Sequence, residues 1–234
     1  MEKIVYAVWK HETDAPESFK KTLLSDEIAG ELMKTGVHKL RISVVDDEVA
    51  PAEPLRIIAS KPPVDGLVSM WVDTAIHRSP LEEIIEKAAA RMVGYLVTES
   101  VPFTDPQTEV TQGQRVPGMN SVVFLTRPPR LSYEDWITVW HGSHTRIARE
   151  TQSTFGYKQN VIVRPLTYAA PQYDAIVEEN FPAEAMTDSQ VFYDAVGDDE
   201  KRQKNEQKMI ESCMRFIDFD KLDRILMSEY VVKY

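Results

Sequence analysis

The residues best suited to chemistry lie between Trp136 and Asn160. Trp136, Ile137, Trp140, His144 and Ile147 recur at the three- and four-residue spacing of one helix face, which sets a single imidazole in an apolar arc. His141 falls at the margin of that arc. A histidine so placed is either a core residue satisfied by one backbone carbonyl or a proton-transfer group whose pKa burial moves away from about 6.5. The tryptophans divide the same way, into a core pair or the wall of an aromatic pocket.

Other chemistries find less support. His141 and His144 form H-x-x-H, but no third ligand accompanies them in an H-E-x-x-H or Cys-x-x-Cys pattern, so no metal is expected. The one cysteine, Cys213, sits among Met209, Ile210, Met214 and Ile217 with the spacing of a core thiol. Nine glycines are dispersed without a dinucleotide or phosphate-binding loop, and no cofactor is expected. A net charge of -10 disfavours a duplex-binding surface. The charge run Gly197–Lys204 reads as a solvated helix start. A lone cysteine points to a reducing compartment, the cytoplasm, and the N-terminal apolar run is too short for a signal core or a membrane span.

The elements that must position these residues come twice. Asp65–Asp73 resembles Asp174–Phe181, and Leu96–Val101 resembles Leu226–Val231, so the chain reads as two diverged copies of one unit. Apolar periodicity predicts strand 3–9, helix 16–35, strands 38–45 and 66–72, helix 80–92 and strand 94–101. Ser79-Pro80-Leu81-Glu82 has the order of a capping box. The second copy predicts strand 120–126, helix 133–150, strands 157–164 and 173–179, helices 188–195 and 200–216, and strand 223–233. That is βαββαβ twice, an α+β chain of tandem ferredoxin-like units: 1–101, a proline-punctuated linker 102–118, and 119–234. Each sheet has one face free of helices, and the two are expected to pack together into a barrel.

Trp140 with His144 four residues on, then Ile147-Ala148, Gly156-Tyr157-Lys158-Gln159-Asn160 and Tyr173–Glu178, resembles the EthD family within the dimeric α+β barrel proteins. Arg146 and Val139 stand where that family has a proline and usually an aromatic. The resemblance implies a pocket between helices and sheet of the second copy, with His144, Tyr157 and Asn160 as catalytic residues. Trp136, Trp140, His141 and Ile147 would contact a small hydrophobic or aromatic molecule. The wider group includes cyclases, dehydratases, cofactor-free monooxygenases and haem proteins, so fold alone selects no reaction.

The expected function is a cofactor-independent, lyase-type enzyme acting by acid–base chemistry on an aromatic or polyketide-like substrate. A cofactor-free monooxygenase in the same pocket and a non-catalytic carrier are the alternatives, and a homodimer is compatible with each. His38 matches Tyr157 in strand position and becomes a second base only if the first copy also holds a cavity; otherwise it is structural.

Overall fold

The computed structural model describes residues 1–104 and 110–234, so part of the predicted linker, 105–109, lies outside the described residues. Among the described residues eight strands form one closed antiparallel barrel: β1 (Glu2–Trp9), β2 (Lys39–Val44), β3 (Gly66–Val72), β4 (Arg91–Thr104), β5 (Met119–Leu125), β6 (Gly156–Pro165), β7 (Ala175–Phe181) and β8 (Asp223–Lys233). The order β4-β1-β3-β2 in the first unit recurs as β8-β5-β7-β6 in the second. The fold is therefore the expected α+β barrel of tandem βαββαβ units. The two sheets join at their edges, β2 with β8 and β4 with β6, and this closes the barrel.

Helices cover the outside of each sheet. α1 (Pro16–Leu23), α2 (Glu31–Lys34) and α3 (Ser79–Ile85) belong to the first unit. α4 (Tyr133–Val139), α5 (Thr145–Thr151), α6 (Ser189–Phe192) and α7 (Asp199–Met214) belong to the second. The predicted helix over 80–92 stops at Ile85 because the chain is already needed in the barrel: Ala90 donates to the Trp9 carbonyl and Arg91 opens β4. The predicted capping box does not form either. Arg78 occupies the cap, and the Glu82 carboxylate instead accepts from Tyr6 and Arg78. β4 also runs past the predicted 101 to Thr104, where Phe103 lies opposite Tyr157. Among the described residues no helix is long and apolar enough to cross a membrane.

Strand alternation sends successive side chains inward and outward. The barrel interior is divided along its length. One end is an apolar plug that includes Val5, Ala7, Leu67, Val122, Phe124, Ile176 and Met227. The other is a buried polar network in which Lys158 and Arg41 both donate to Glu229 at 2.7 Å, and Asn160 joins Lys3 to Glu178. The two cations hold the Glu229 carboxyl far below the usual carboxylate range despite burial.

Candidate functional site

The helix that carries His144 starts at Ser132, whose hydroxyl accepts from the Asp135 amide. It is not regular throughout. Between α4 and α5 a π-helical turn spans Trp140–His144, and Thr145 donates its hydroxyl proton to the Trp140 carbonyl. Such a turn inserts one residue and rotates the helix beyond it, which is a recurrent device at functional sites. Here it leaves both Trp140 and His144 facing the sheet, Trp140 fully buried and His144 only 5% exposed.

A cavity of about 390 Å³ lies between this helix, α7 and the outer face of the second sheet, within the size range of small-molecule sites. His144, Trp140, Tyr157, Glu179, Arg224 and Cys213 line it. Its rim carries Ile57, Ile210 and Phe219, three apolar side chains that are also exposed.

His144 Nδ1 is hydrogen-bonded to the Ser212 hydroxyl on α7 at 2.9 Å. Burial, helped by the Arg215 charge, lowers its pKa to about 4, so the ring is neutral near pH 7. Its other nitrogen has no protein partner among the described residues and serves the cavity, as acceptor or donor according to which side of the Ser212 bond supplies the proton. Phe216 covers the ring at 4.6 Å between centroids. From the same helix, Trp140 donates its indole N–H to the hydroxyl of Tyr157 on the sheet at 3.0 Å, and burial raises the Tyr157 pKa well above normal.

The structure therefore gathers three of the seven expected site residues: His144, Tyr157 and Trp140. Asn160 is not with them. It lies three positions after Tyr157 on β6, so strand parity turns it into the barrel, where it donates to Glu178 and the Ile176 carbonyl. Trp136 packs behind Trp140 at 5.0 Å between centroids and donates to the Phe216 carbonyl, while Ile147 is buried away from the cavity. His141 faces a different groove, with Tyr133, Ile137 and Val161. His38 is exposed and paired with Asp73 at 2.7 Å; the first-unit residue that occupies Tyr157's ladder position is Leu40.

Sequence reasoning missed Glu179, Arg224 and Ser212. Glu179 sits on β7 between Ser121 of β5 and Tyr157 of β6, all on the outer face. Burial lifts its carboxyl to about 7, against the pull of Arg224. The signal for it was parity: Val177 and Glu179 share one face of a strand expected at 173–179 and observed two residues later, at Ala175–Phe181. Cys213 proves to be a wall residue of the cavity, and burial pushes its thiol up to about 12, against any nucleophilic use. Among the described residues no three His, Cys, Asp or Glu side chains gather as metal ligands.

A second cavity of similar size, about 400 Å³, opens at the polar end of the barrel and includes Lys39, Arg41, Lys158 and Glu229. Most of its charges already satisfy one another, as the shared Glu229 contacts show. In the helix–sheet cavity the charges do not pair in this way: His144 and Arg224 each bond one serine hydroxyl, and each keeps a further nitrogen free for a ligand.

Fold and cavity together define the class: a single-chain α+β barrel of the dimeric α+β barrel type, with a ligand-sized pocket between the helices and sheet of one unit. Solved structures share this architecture end to end. The chain is similar to an anthrone oxidase-like protein, with 9% identity, TM-score 0.55, and 100% of this chain and 94% of that one covered. It is also similar to a candidate monooxygenase from Fusobacterium nucleatum, with 8% identity, TM-score 0.51, and 99% and 92% covered. At such identities the likeness is one of fold. No protein-family model and no curated protein matches the chain.

Proposed function

We propose that the protein is a cofactor-independent enzyme that carries out acid–base chemistry on a small aromatic or polyketide-like molecule held in the helix–sheet cavity of its second unit. The observation that carries this reading is one neutral, buried imidazole aimed into an apolar pocket of ligand size, with Tyr157 on the opposite wall. His144 and Tyr157 serve the reacting oxygen of the substrate. The imidazole holds or exchanges a proton there, and the phenol donates a hydrogen bond as charge develops. Trp140 and Phe216 supply the flat apolar walls against which a ring packs. We also read the chain as two diverged copies of one EthD-like unit, the second of which keeps the site.

Elimination, cyclisation and cofactor-free oxygenation share their first step, formation of a substrate anion, and part company afterwards. The descriptions of the two neighbours, one oxidase-like and one a candidate monooxygenase, make oxygen consumption the first alternative. Turnover of hydroxylated aromatic substrates in an oxygen electrode, without added metal or cofactor, tests both. His144→Ala and His144→Gln are expected to lose about 10²-fold or more in kcat while remaining folded. Full activity in both variants overturns the reading. Release of an unchanged hydrophobic ligand on denaturation, with no turnover of it, favours a carrier instead.

A further inference from the structure

Glu179 and Arg224 are oddly placed for structural residues. Both point outward from adjacent regions of the second sheet into the cavity, yet they make no ion-pair contact with each other. Among the described residues the Glu179 carboxylate accepts no hydrogen bond from any protein group. Arg224 uses one nitrogen: its Nε donates to the Ser121 hydroxyl at 3.0 Å, and its guanidinium lies 5.3 Å from the centre of the Phe192 ring. Its two terminal nitrogens have no protein partner among the described residues. Both residues are half-buried at the cavity wall, and a carboxylate and a guanidinium that line a pocket without pairing there are the kind of charges that a ligand completes.

The groups around Glu179 show what kind of ligand. Tyr157 and Ser121 flank it on β6 and β5, Arg224 stands on β8, Cys213 comes from α7, Tyr193 follows α6, and His144 comes from the π-helical turn. Arg224 is the one group in this set that carries a positive charge near pH 7, since His144 is neutral there. The rest of the cavity wall is largely aliphatic and aromatic, including Val123, Leu125, Val177, Met209 and Leu222. A ligand that fits has an apolar body and one acidic oxygen.

We propose that Glu179 is the proton acceptor of this cavity and Arg224 the anchor for the oxyanion that results, so that the substrate is an acidic phenol or enol on an apolar ring system. This deepens the acid–base reading and rests on it. In the step, the O–H bond of a phenol, or the C–H bond beside a carbonyl, breaks and its proton forms an O–H bond on Glu179. The electron pair stays with the substrate as phenolate or enolate, and negative charge passes from the carboxylate to the oxygen beside Arg224. Nothing is oxidised or reduced. A carboxyl raised to about 7 by burial is the better matched base near neutral pH, whereas His144, lowered to about 4, is the weaker one.

The test uses p-nitrophenol as the probe with the full chain, and a pH indicator to count protons. At about pH 8 the free probe and Glu179 are both ionised, so binding of the phenolate beside Arg224 makes Glu179 take up about one proton from solvent. Glu179→Gln is expected to bind the phenolate at least as tightly with no uptake, and Arg224→Gln to bind it at least tenfold more weakly. Arg224→Lys, which keeps the charge, is expected to fall between them. Infrared titration of the unliganded protein gives a readout free of the probe: a carboxyl titrating near 7 that Glu179→Gln removes. Proton uptake retained in Glu179→Gln but lost in His144→Gln overturns the assignment and leaves the acid–base cavity standing with His144 as base. If the wild type does not bind the probe, the substrate class is wrong. If none of the three positions alters binding, the reading of the cavity fails as well.

Discussion

The outer faces of the two sheets answer the same problem in opposite ways. On the first, Ile4 and Leu40 flank Met70, and Tyr6 stands opposite Gly94. The same ladder positions on the second hold Ser121 and Tyr157 flanking Glu179, with Val123 opposite Arg224. The first layer is filled. A methyl group on Gly94 would sit 2.5 Å from the Tyr6 ring, and Phe19, Leu23, Ile28 and Leu32 pack on the same face. In the second, the large residue and the small one are exchanged for a smaller aliphatic and a cation, and space opens into which Glu179 and Arg224 project. One backbone plan therefore supports either a packed core or a reactive cavity, and a handful of outward strand positions decide which.

The strongest way to break this contrast is to move the charge across it. Met70→Glu places the counterpart of Glu179 in a packed layer, with Gly94 where the second unit has Arg224. It is expected to destabilise the fold by about 5 kcal/mol, since an uncompensated buried ion is among the few changes of that size. Chemical denaturation measures it. A loss under about 1 kcal/mol would mean that the first layer has hidden room and that the difference between the units is smaller than their packing indicates.

The next effect is one of pH. Between about 4.5 and about 7 the folded protein keeps a proton on Glu179 that the unfolded chain has released, so this group's contribution to stability falls as pH rises through that window. His144 works against it: between about 4 and 6.5 the unfolded chain binds a proton that the folded site refuses, so its contribution rises with pH. Glu179→Gln removes the first slope and keeps the second. Relative to wild type it should gain stability on going from about pH 4.5 to about pH 8, by about 2–3 kcal/mol if cavity water screens little of the burial. Thermal melts at both pH values check the sign. An equal difference at the two values would show that Glu179 titrates normally.

How far each feature can be read from the sequence depends on its physics. Strand alternation and helical spacing are periodic signals, so the α+β barrel and most element positions were legible. The apolar arc around His144 was legible for the same reason, and the structure buries that ring as the spacing implies. Asn160 misled because a motif read as a string ignores parity: Tyr157 and Asn160 are three apart on one strand and must face opposite sides. The π-helical turn at Trp140–His144 has no compositional marker. Glu179 and Arg224 were missed because each looks like an ordinary strand charge until pairing shows which face it occupies.

The smallest effect tests the exchange of large and small residues directly. Gly94→Ala alone should destabilise by about 1–3 kcal/mol, because its methyl group meets the Tyr6 ring rather than a flexible chain end. In a Tyr6→Val background, which gives the first layer the aliphatic residue that the second has at Val123, the ring is gone and the same substitution should change stability by no more than about 0.5 kcal/mol. Tyr6→Val itself loses both apolar contacts and the hydrogen bond to Glu82, so the informative quantity is the coupling between the two changes, measured by a double-mutant cycle. A coupling of about 1 kcal/mol or more means that the ring and the glycine form one packing unit. A coupling near zero means that the first layer is full for other reasons, and that the Tyr6–Gly94 pair is not what separates the packed unit from the hollow one.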